Sequence, residues 1–218
     1  MDKANIIEQT RAFLEEKFND ESSGHDYWHM HRVWQLAKHI AKSEEGVDMF
    51  TLELAALLHD VADWKFHDGD EEAGPRAAHE WLKGLNVDDA VIEHIEDIIR
   101  NVSFKGANVG TKLKTIEGQI VHDADKLDAI GAIGIGRAFA YGGSKGRPMH
   151  DPNITAVQHD SFEAYKNNNG PTINHFYEKL LLLKDRMFTK SGKELARYRH
   201  KMMEEFLKEF LAEWDGKR

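Results

Sequence analysis

Apolar residues recur three and four positions apart along almost the whole chain, and strict alternation of apolar and polar residues is scarce. This spacing gathers apolar side chains on one face of an α-helix, so it predicts helices rather than strands. We expect an all-α fold of about eight or nine helices, including one at 52–58 that is apolar on most sides and therefore buried. The other predicted helices lie near 6–18, 33–40, 70–82, 91–102, 115–130, 172–188 and 191–214.

Four residues predict where helices begin and end. Asp88 is a candidate N-cap of the helix that follows it, and Gly84 is a candidate C-cap of the helix before it. Ser191 and Glu194 have the spacing of a capping box, which predicts the start of a long amphipathic C-terminal helix.

The periodicity breaks between about 141 and 153, where glycines and prolines accompany Lys145 and Arg147. We predict a basic loop here, serving either as a plain connection or as a lid that contacts phosphate. The length favours a single domain, 1–218, with a core at about 20–140 and C-terminal helices at about 155–214.

The composition limits the chemistry that the chain can perform. With 41% hydrophobic and 31% charged residues, the 218-residue chain is neither disordered nor membrane-spanning in character. It has no cysteine, which excludes disulfides, a thiolate nucleophile and sulfur-bound metals. It has 13 histidines, so any bound metal would take imidazole and carboxylate ligands.

The net charge of −9 disfavours bulk nucleic acid and anionic membranes as partners. The first twenty residues are charged throughout and do not resemble a signal peptide. A cytoplasmic location is therefore the expectation.

Helical phase separates three of the histidines. His59 shares a face with the apolar residues of the helix at 52–58, and His29 lies on the buried stripe of the helix at 33–40. His31 lies about 200° from His29, on a polar face, and is expected at the surface. An isolated buried histidine such as His59 is also explained by a hydrogen bond to a neighbour in the core.

A third source of ligands is the acidic run at 122–128, which interrupts an apolar helix. Asp123 and Asp125 each share a face with apolar neighbours. Periodicity alone leaves the choice between these two aspartates open.

The order His29, His59-Asp60 and Asp125 resembles the H…HD…D signature of the HD-domain metal-dependent phosphohydrolases. The flanking residues resemble the small stand-alone bacterial HD proteins of the YpgQ/YedJ type over nearly the whole chain. This resemblance implies a helical HD-domain bundle with an additional C-terminal helical pair. It also implies that His29, His59, Asp60 and Asp125 are the ligands of a divalent metal ion.

Two imidazoles and two carboxylates roughly balance the charge of a divalent cation. Mn²⁺ is our first choice, and Mg²⁺, Fe²⁺, Ni²⁺, Co²⁺ and Zn²⁺ are also compatible with these ligands. HD proteins that resemble cyclic-dinucleotide phosphodiesterases use further histidines for a second metal. His79 and His94 do not lie at the matching positions, so we expect a single metal ion.

Asp63 follows Asp60 by three residues, and we expect it to act as a general base or to orient water; the alternative is that it pairs with Lys65 or caps the helix. Lys65 is a candidate clamp for the transferred phosphoryl group. The candidate contacts to substrate phosphate are Lys126 and Arg137, followed by the weaker candidates Lys105, Lys145 and Arg147.

The resemblance implies hydrolysis of a small phosphorylated substrate, and a nucleotide is the favoured one. Nucleoside triphosphate pyrophosphohydrolase is the favoured activity and nucleoside 5′-monophosphatase the alternative. A non-catalytic nucleotide- or metal-binding regulatory module is the alternative of a different class. The amphipathic C-terminal helix is compatible with a homodimer and with packing inside one chain.

Overall fold

The computed structural model of the chain describes residues 2–18, 26–62, 70–102, 113–157 and 170–218. These ranges contain helices and their connections and no strand, which confirms the all-α prediction. No helix within them is long and apolar enough to cross a membrane. The helices are α1 (Lys3–Lys17), α2 (Tyr27–Ala41), α3 (Met49–Leu58), α4 (Ala73–Gly84), α5 (Asp89–Val102), α6 (Ile116–Asp128), α7 (Gly131–Ser144), α8 (Thr172–Glu178), a 3₁₀-helix (Leu180–Arg186) and α9 (Lys190–Trp214).

The chain divides into two compact units inside helix α6. Among the described residues, the first unit contains α1 to α5 and α6 up to Ala124, and the second contains everything from Asp125 onward. Helix α6 is continuous through this division, so the position of Asp125 follows from the helix that carries it.

Helix α3 forms the centre of the first unit, where it contacts α1, α2 and α5. Eight of its ten residues are buried, as the apolar run at 52–58 predicts. Asp48 caps the start of the helix by accepting a hydrogen bond from the Phe50 N–H at 3.2 Å. The buried run thereby brings His59, the residue after α3, into the interior of the unit.

Helix α2 is held against α3 through Glu53. The Trp34 indole N–H donates to the Glu53 carboxylate at 2.8 Å, and Lys38 Nζ lies 3.8 Å from the same carboxylate. At the start of α2, Asp26 accepts a hydrogen bond from the His29 N–H at 2.8 Å. The cap and the cross-helix contacts together fix the first turn of α2, which contains His29.

Buried Glu117 joins α6 to two other helices of the first unit. Its Oε1 accepts a hydrogen bond from the Asp48 N–H at 2.8 Å, and its Oε2 lies 3.7 Å from His94 Nε2. His94 Nε2 also lies 3.1 Å from Thr115 Oγ1, directly before α6. The start of α6 is thus tied to the start of α3 and to α5.

Aromatic side chains fill the second unit between α7, α8 and α9. Phe139, Phe176, Phe206 and Phe210 form contacts with ring centroids 5.8 to 6.2 Å apart. Such spacing is typical of a packed aromatic cluster.

Arg199 of α9 crosses to the C-terminal end of α6. Its Nη1 donates to the Leu127 carbonyl, one of the acceptors that a helix end leaves without a partner in the helix. Gly131 makes room for this side chain, because a Cβ at that position would lie 2.9 Å from Arg199 Cγ. Its φ of 74° also favours glycine.

The predicted loop at 141–153 begins later than expected, because α7 continues to Ser144. Gly142 lies inside α7 and packs so tightly against Thr172 that a Cβ would collide with the Thr172 hydroxyl. The glycines of this segment therefore serve close packing as well as a turn.

The prediction of one continuous helix over 172–188 is wrong, because the chain leaves the α conformation at Lys179, which has φ −142° and ψ −58°. A 3₁₀-helix follows and buries Leu180 and Leu183, which its three-residue period places on one face. Thr189, rather than Ser191, caps α9 by accepting from the Gly192 N–H at 2.9 Å.

Helix α4 begins at Ala73 instead of 70, and Gly84 is its last residue rather than its cap. The left-handed residue after α4 is Asn86, with a φ of 55°. Asp88 does cap α5 as predicted, because it accepts from the Ala90 N–H at 3.0 Å.

Replacing Glu117 with alanine leaves the Asp48 N–H without its acceptor. We expect the free energy of unfolding to fall by about 1–3 kcal/mol, measured by urea denaturation. The control is Glu80→Ala on the exposed face of α4, for which we expect a change within about 0.5 kcal/mol. Equal stability of the two variants would contradict this role of Glu117.

Candidate metal centre

Two buried imidazoles face each other in the first unit. His29 lies in the first turn of α2 and is 1% exposed, and His59 directly follows α3 and is 5% exposed. The rings meet edge to face with centroids 5.2 Å apart, and the two Nε2 atoms are separated by 3.3 Å. Both histidines therefore lie where helical phase predicts them.

The backbone determines which nitrogen of His59 carries a proton. His59 Nδ1 lies 2.8 Å from the Ala56 carbonyl oxygen, which can only accept a hydrogen bond. Nδ1 therefore carries a proton, and the tautomer with its proton on Nδ1 presents the lone pair of Nε2 towards His29. Metal-binding histidines commonly donate their second nitrogen to a carbonyl in this way.

Asp60 adds a carboxylate to the histidine pair. Its Oδ2 lies 3.5 Å from His29 Nε2 and 3.6 Å from His59 Nε2, and the side chain is partly exposed. A carboxylate beside two imidazoles supplies negative charge where a cation would bind.

Asp125 completes a group of three ligand-type side chains. One ligand atom each from His29, His59 and Asp125 lie within 4.8 Å of one another. Asp123 is outside this group: it is fully buried and lies 3.2 Å from His122 Nδ1. The geometry thus favours Asp125 where the sequence pattern left the choice open.

The chemistry of these donors fits a divalent ion. Two atoms that each bind one ion at about 2.1 Å are separated by roughly 3 to 4.2 Å. The separations of 3.3, 3.5 and 3.6 Å among His29, His59 and Asp60 lie in this range. Neutral imidazole nitrogens and carboxylate oxygens suit borderline and harder cations.

Lys126 lies immediately beside this group. It is buried, and its Nζ is 2.8 Å from Asp125 Oδ2. Arg137 instead bonds to buried Asp128 at 2.6 Å. Lys145 and Arg147 lie 5.7 and 5.5 Å from the ring centroid of Tyr141.

The three remaining candidates, Asp63, Lys65 and Lys105, lie outside the described residues. The other histidines considered as ligands have different partners. His79 pairs with Glu96, and His94 contacts Thr115. Neither belongs to the three-residue group.

His31 is less exposed than its polar helical face suggests. Its ring packs edge to face against Trp28 and Trp34, at 5.7 Å from each. Burial and then the charge of Arg11 lower the pKa of the imidazole. The ring is therefore half-buried rather than fully exposed, because bulky side chains of the same helix cover part of it.

Comparison with known proteins gives consistent matches over the chain. The HD domain family model matches residues 27–130. YpgQ of Bacillus subtilis is 37% identical over 203 residues, covering 93% of this chain and 90% of that protein.

Solved structures match as well. An HD-superfamily hydrolase from Bacillus thuringiensis has a TM-score of 0.77 and 43% identity, covering 98% of each chain. The complex of B. subtilis YpgQ with ADP has a TM-score of 0.73 and 33% identity, covering 94% of this chain and 95% of that one.

The matched HD segment contains His29, His59, Asp60 and Asp125. Similarity to the stand-alone relative extends well beyond this segment, to 93% of the chain. The chain therefore belongs to the HD-domain family of metal-dependent phosphohydrolases, as a stand-alone HD-domain protein.

Proposed function

We propose that this chain hydrolyses nucleotides with one divalent metal ion held by His29, His59, Asp60 and Asp125. The observation that carries the proposal is the convergence of two buried imidazoles and Asp125 within 4.8 Å. Mn²⁺ is the favoured ion, with Mg²⁺, Fe²⁺, Ni²⁺, Co²⁺ and Zn²⁺ as alternatives. A cytoplasmic location and a homodimer stay predictions.

A bound divalent ion would acidify water and polarise a phosphoryl oxygen. The Ala56 carbonyl holds the His59 ring in the tautomer that accepts a cation at Nε2. Asp63 would accept the proton of the attacking water or orient that water, and Lys65 would contact the transferred phosphoryl group. Lys126 would contact a substrate phosphate, and its ammonium group beside Asp125 supports this role.

The favoured substrate class is the nucleoside triphosphates, with release of pyrophosphate. The complex of YpgQ with ADP supports a nucleotide as the ligand of this chain, since that relative shares the fold over 95% of its own length and 94% of this chain. Retention of all four ligand-type residues supports turnover over a purely regulatory module. Nucleoside 5′-monophosphatase is the alternative to test beside it.

Removing either imidazole should abolish stoichiometric metal binding. We expect wild type to bind one Mn²⁺ per chain, and His29→Ala and His59→Ala to bind at least about 100-fold more weakly, since loss of even an outer partner costs 10- to 100-fold. Elemental analysis and Mn²⁺ titration measure this. His39→Ala, an exposed histidine of the same helix as His29, is the control and should bind like wild type. Equal Mn²⁺ affinity in all four proteins would contradict the site.

Asp60→Ala should lower nucleotide hydrolysis at least about 100-fold, because a carboxylate is lost where charge must be neutralised. The assay is a panel of nucleoside triphosphates and monophosphates with product identification. Pyrophosphate and monophosphate from triphosphates are the expected products. Orthophosphate from monophosphates would replace the favoured activity by the alternative, and undiminished hydrolysis by Asp60→Ala would contradict both.

The variant Lys126→Ala distinguishes two roles for Lys126: a contact to substrate phosphate, and an ion-pair partner of Asp125. If Lys126 contacts substrate, the KM for a triphosphate rises about tenfold while Mn²⁺ affinity changes little, because one charge-assisted hydrogen bond is lost. Lys42→Ala, an exposed lysine directly after α2, is the control and should leave KM unchanged. A change in Mn²⁺ affinity with constant KM would assign Lys126 to Asp125 instead.

A further inference from the structure

The second unit contains an open cleft that the proposed hydrolysis does not use. Its volume is about 340 Å³, and it is lined by Lys184, Asp185, Lys193 and Arg197. The 3₁₀-helix supplies the first two residues and the start of α9 the other two. None of the four belongs to the candidate metal group.

In the part of the chain that the structure describes, the three cations of the cleft have no acidic partner. Among the described residues, no carboxylate oxygen lies within 4.0 Å of Lys184, Lys193 or Arg197, and Asp185 is not close enough to pair with them. Lys193 Nζ contacts only the Phe188 carbonyl, at 3.1 Å, and Lys184 Nζ lies 3.5 Å from His200 Nε2. Basic residues elsewhere are often paired, for example Arg76 with Asp70, Arg100 with Glu72 and Arg137 with Asp128.

The charge of the surrounding sequence is opposite to that of the whole chain. Residues 179–201 include eight lysines and arginines and two acidic residues, whereas the chain as a whole has 29 basic and 38 acidic residues. Basic residues concentrated in one segment of an acidic protein create a local positive potential.

Helix α9 adds to this potential. Its first turn contains Lys190 and Lys193 and no acidic residue. The N-terminal end of a helix carries partial positive charge, so lysines there are unfavourable unless an anion is near. The partial positive charge of the helix end and the charges of the lysines therefore repel one another. Both attract an anion.

We propose that this cleft binds the phosphate chain of a small polyanion through Lys184, Lys193 and Arg197. Phosphate oxygens are strong acceptors for lysine and arginine donors, and the cleft has the size of a small-molecule site. The chain could belong to inorganic tripolyphosphate or to a nucleoside triphosphate. Because the metal group is not involved, binding requires no metal ion and does not depend on hydrolysis.

Isothermal titration of the metal-free full-length chain with inorganic tripolyphosphate tests the proposal. We expect Lys193→Glu/Arg197→Glu to weaken binding about tenfold or more, since two charge-assisted contacts become repulsive. Lys201→Glu/Lys208→Glu reverses two exposed charges of the same helix outside the cleft and should change affinity by less than about threefold. Unfolding midpoints confirm that each variant is folded, and Arg197→Gln gives a milder second test.

The variant His59→Ala lacks a proposed metal ligand and should bind tripolyphosphate like wild type. This result would show that binding in the cleft is independent of the metal centre. Equal weakening by both charge-reversal pairs, or loss of binding in His59→Ala, would overturn the proposal. Titration with ATP distinguishes the two sources: equal affinity indicates recognition of the phosphate chain alone, and tighter ATP binding that Lys193→Glu/Arg197→Glu abolishes indicates a nucleotide. Failure of nucleotide hydrolysis would leave both results unchanged.

Discussion

Two imidazole nitrogens 3.3 Å apart in the interior constrain the first unit. Two lone pairs facing each other at this distance repel, and two ring cations would repel more strongly, so a proton or a metal ion must lie between the rings or beside them. The contacts of Trp34 with Glu53 hold α2 against α3, and the Asp26 cap fixes the turn that contains His29. Burial of the apolar residues of α3 thereby stabilises a close approach of two imidazoles that the imidazoles alone would not adopt.

Sequence periodicity is sufficient for the parts of the fold that depend on one helix at a time. The buried run at 52–58 and the stripe beginning at His29 each predict a helix and the side that faces inward, so they also predict where His29 and His59 point. Asp123 and Asp125 both have apolar neighbours on their own helix, and only Asp125 lies within 4.8 Å of the facing histidines. That proximity comes from other helices, so the pattern of one helix does not contain it, and in the sequence only the resemblance to the HD family favours Asp125.

The wrong helix boundaries have different origins. Helix α7 passes through Gly142, and Thr172, thirty positions away, packs against that residue, a tertiary contact that a local pattern does not contain. The α conformation ends at Lys179 although no glycine or proline is present. Thr189 caps α9 in place of Ser191, and both residues carry the same kind of capping hydroxyl.

Charge is divided unevenly along the chain. Residues 1–124 have 13 basic and 25 acidic residues, whereas residues 125–218 have 16 and 13. The acidic part contains three of the four proposed metal ligands, in surroundings that attract cations and repel phosphates. Any attraction of a phosphate to this region would have to come from local cations, and Lys126 is a buried lysine beside Asp125.

Arg199 supports the end of the helix that carries Asp125. Its guanidinium bonds to the Leu127 carbonyl, two residues after Asp125, and Gly131 gives it room. Burial lowers the pKa of this arginine from its usual value, but a guanidinium remains charged at neutral pH. The last turn of α6 is thus held from α9 by a hydrogen bond whose donor stays charged when the pH falls below neutrality. The support that this bond gives to the helix of Asp125 therefore does not depend on acidity.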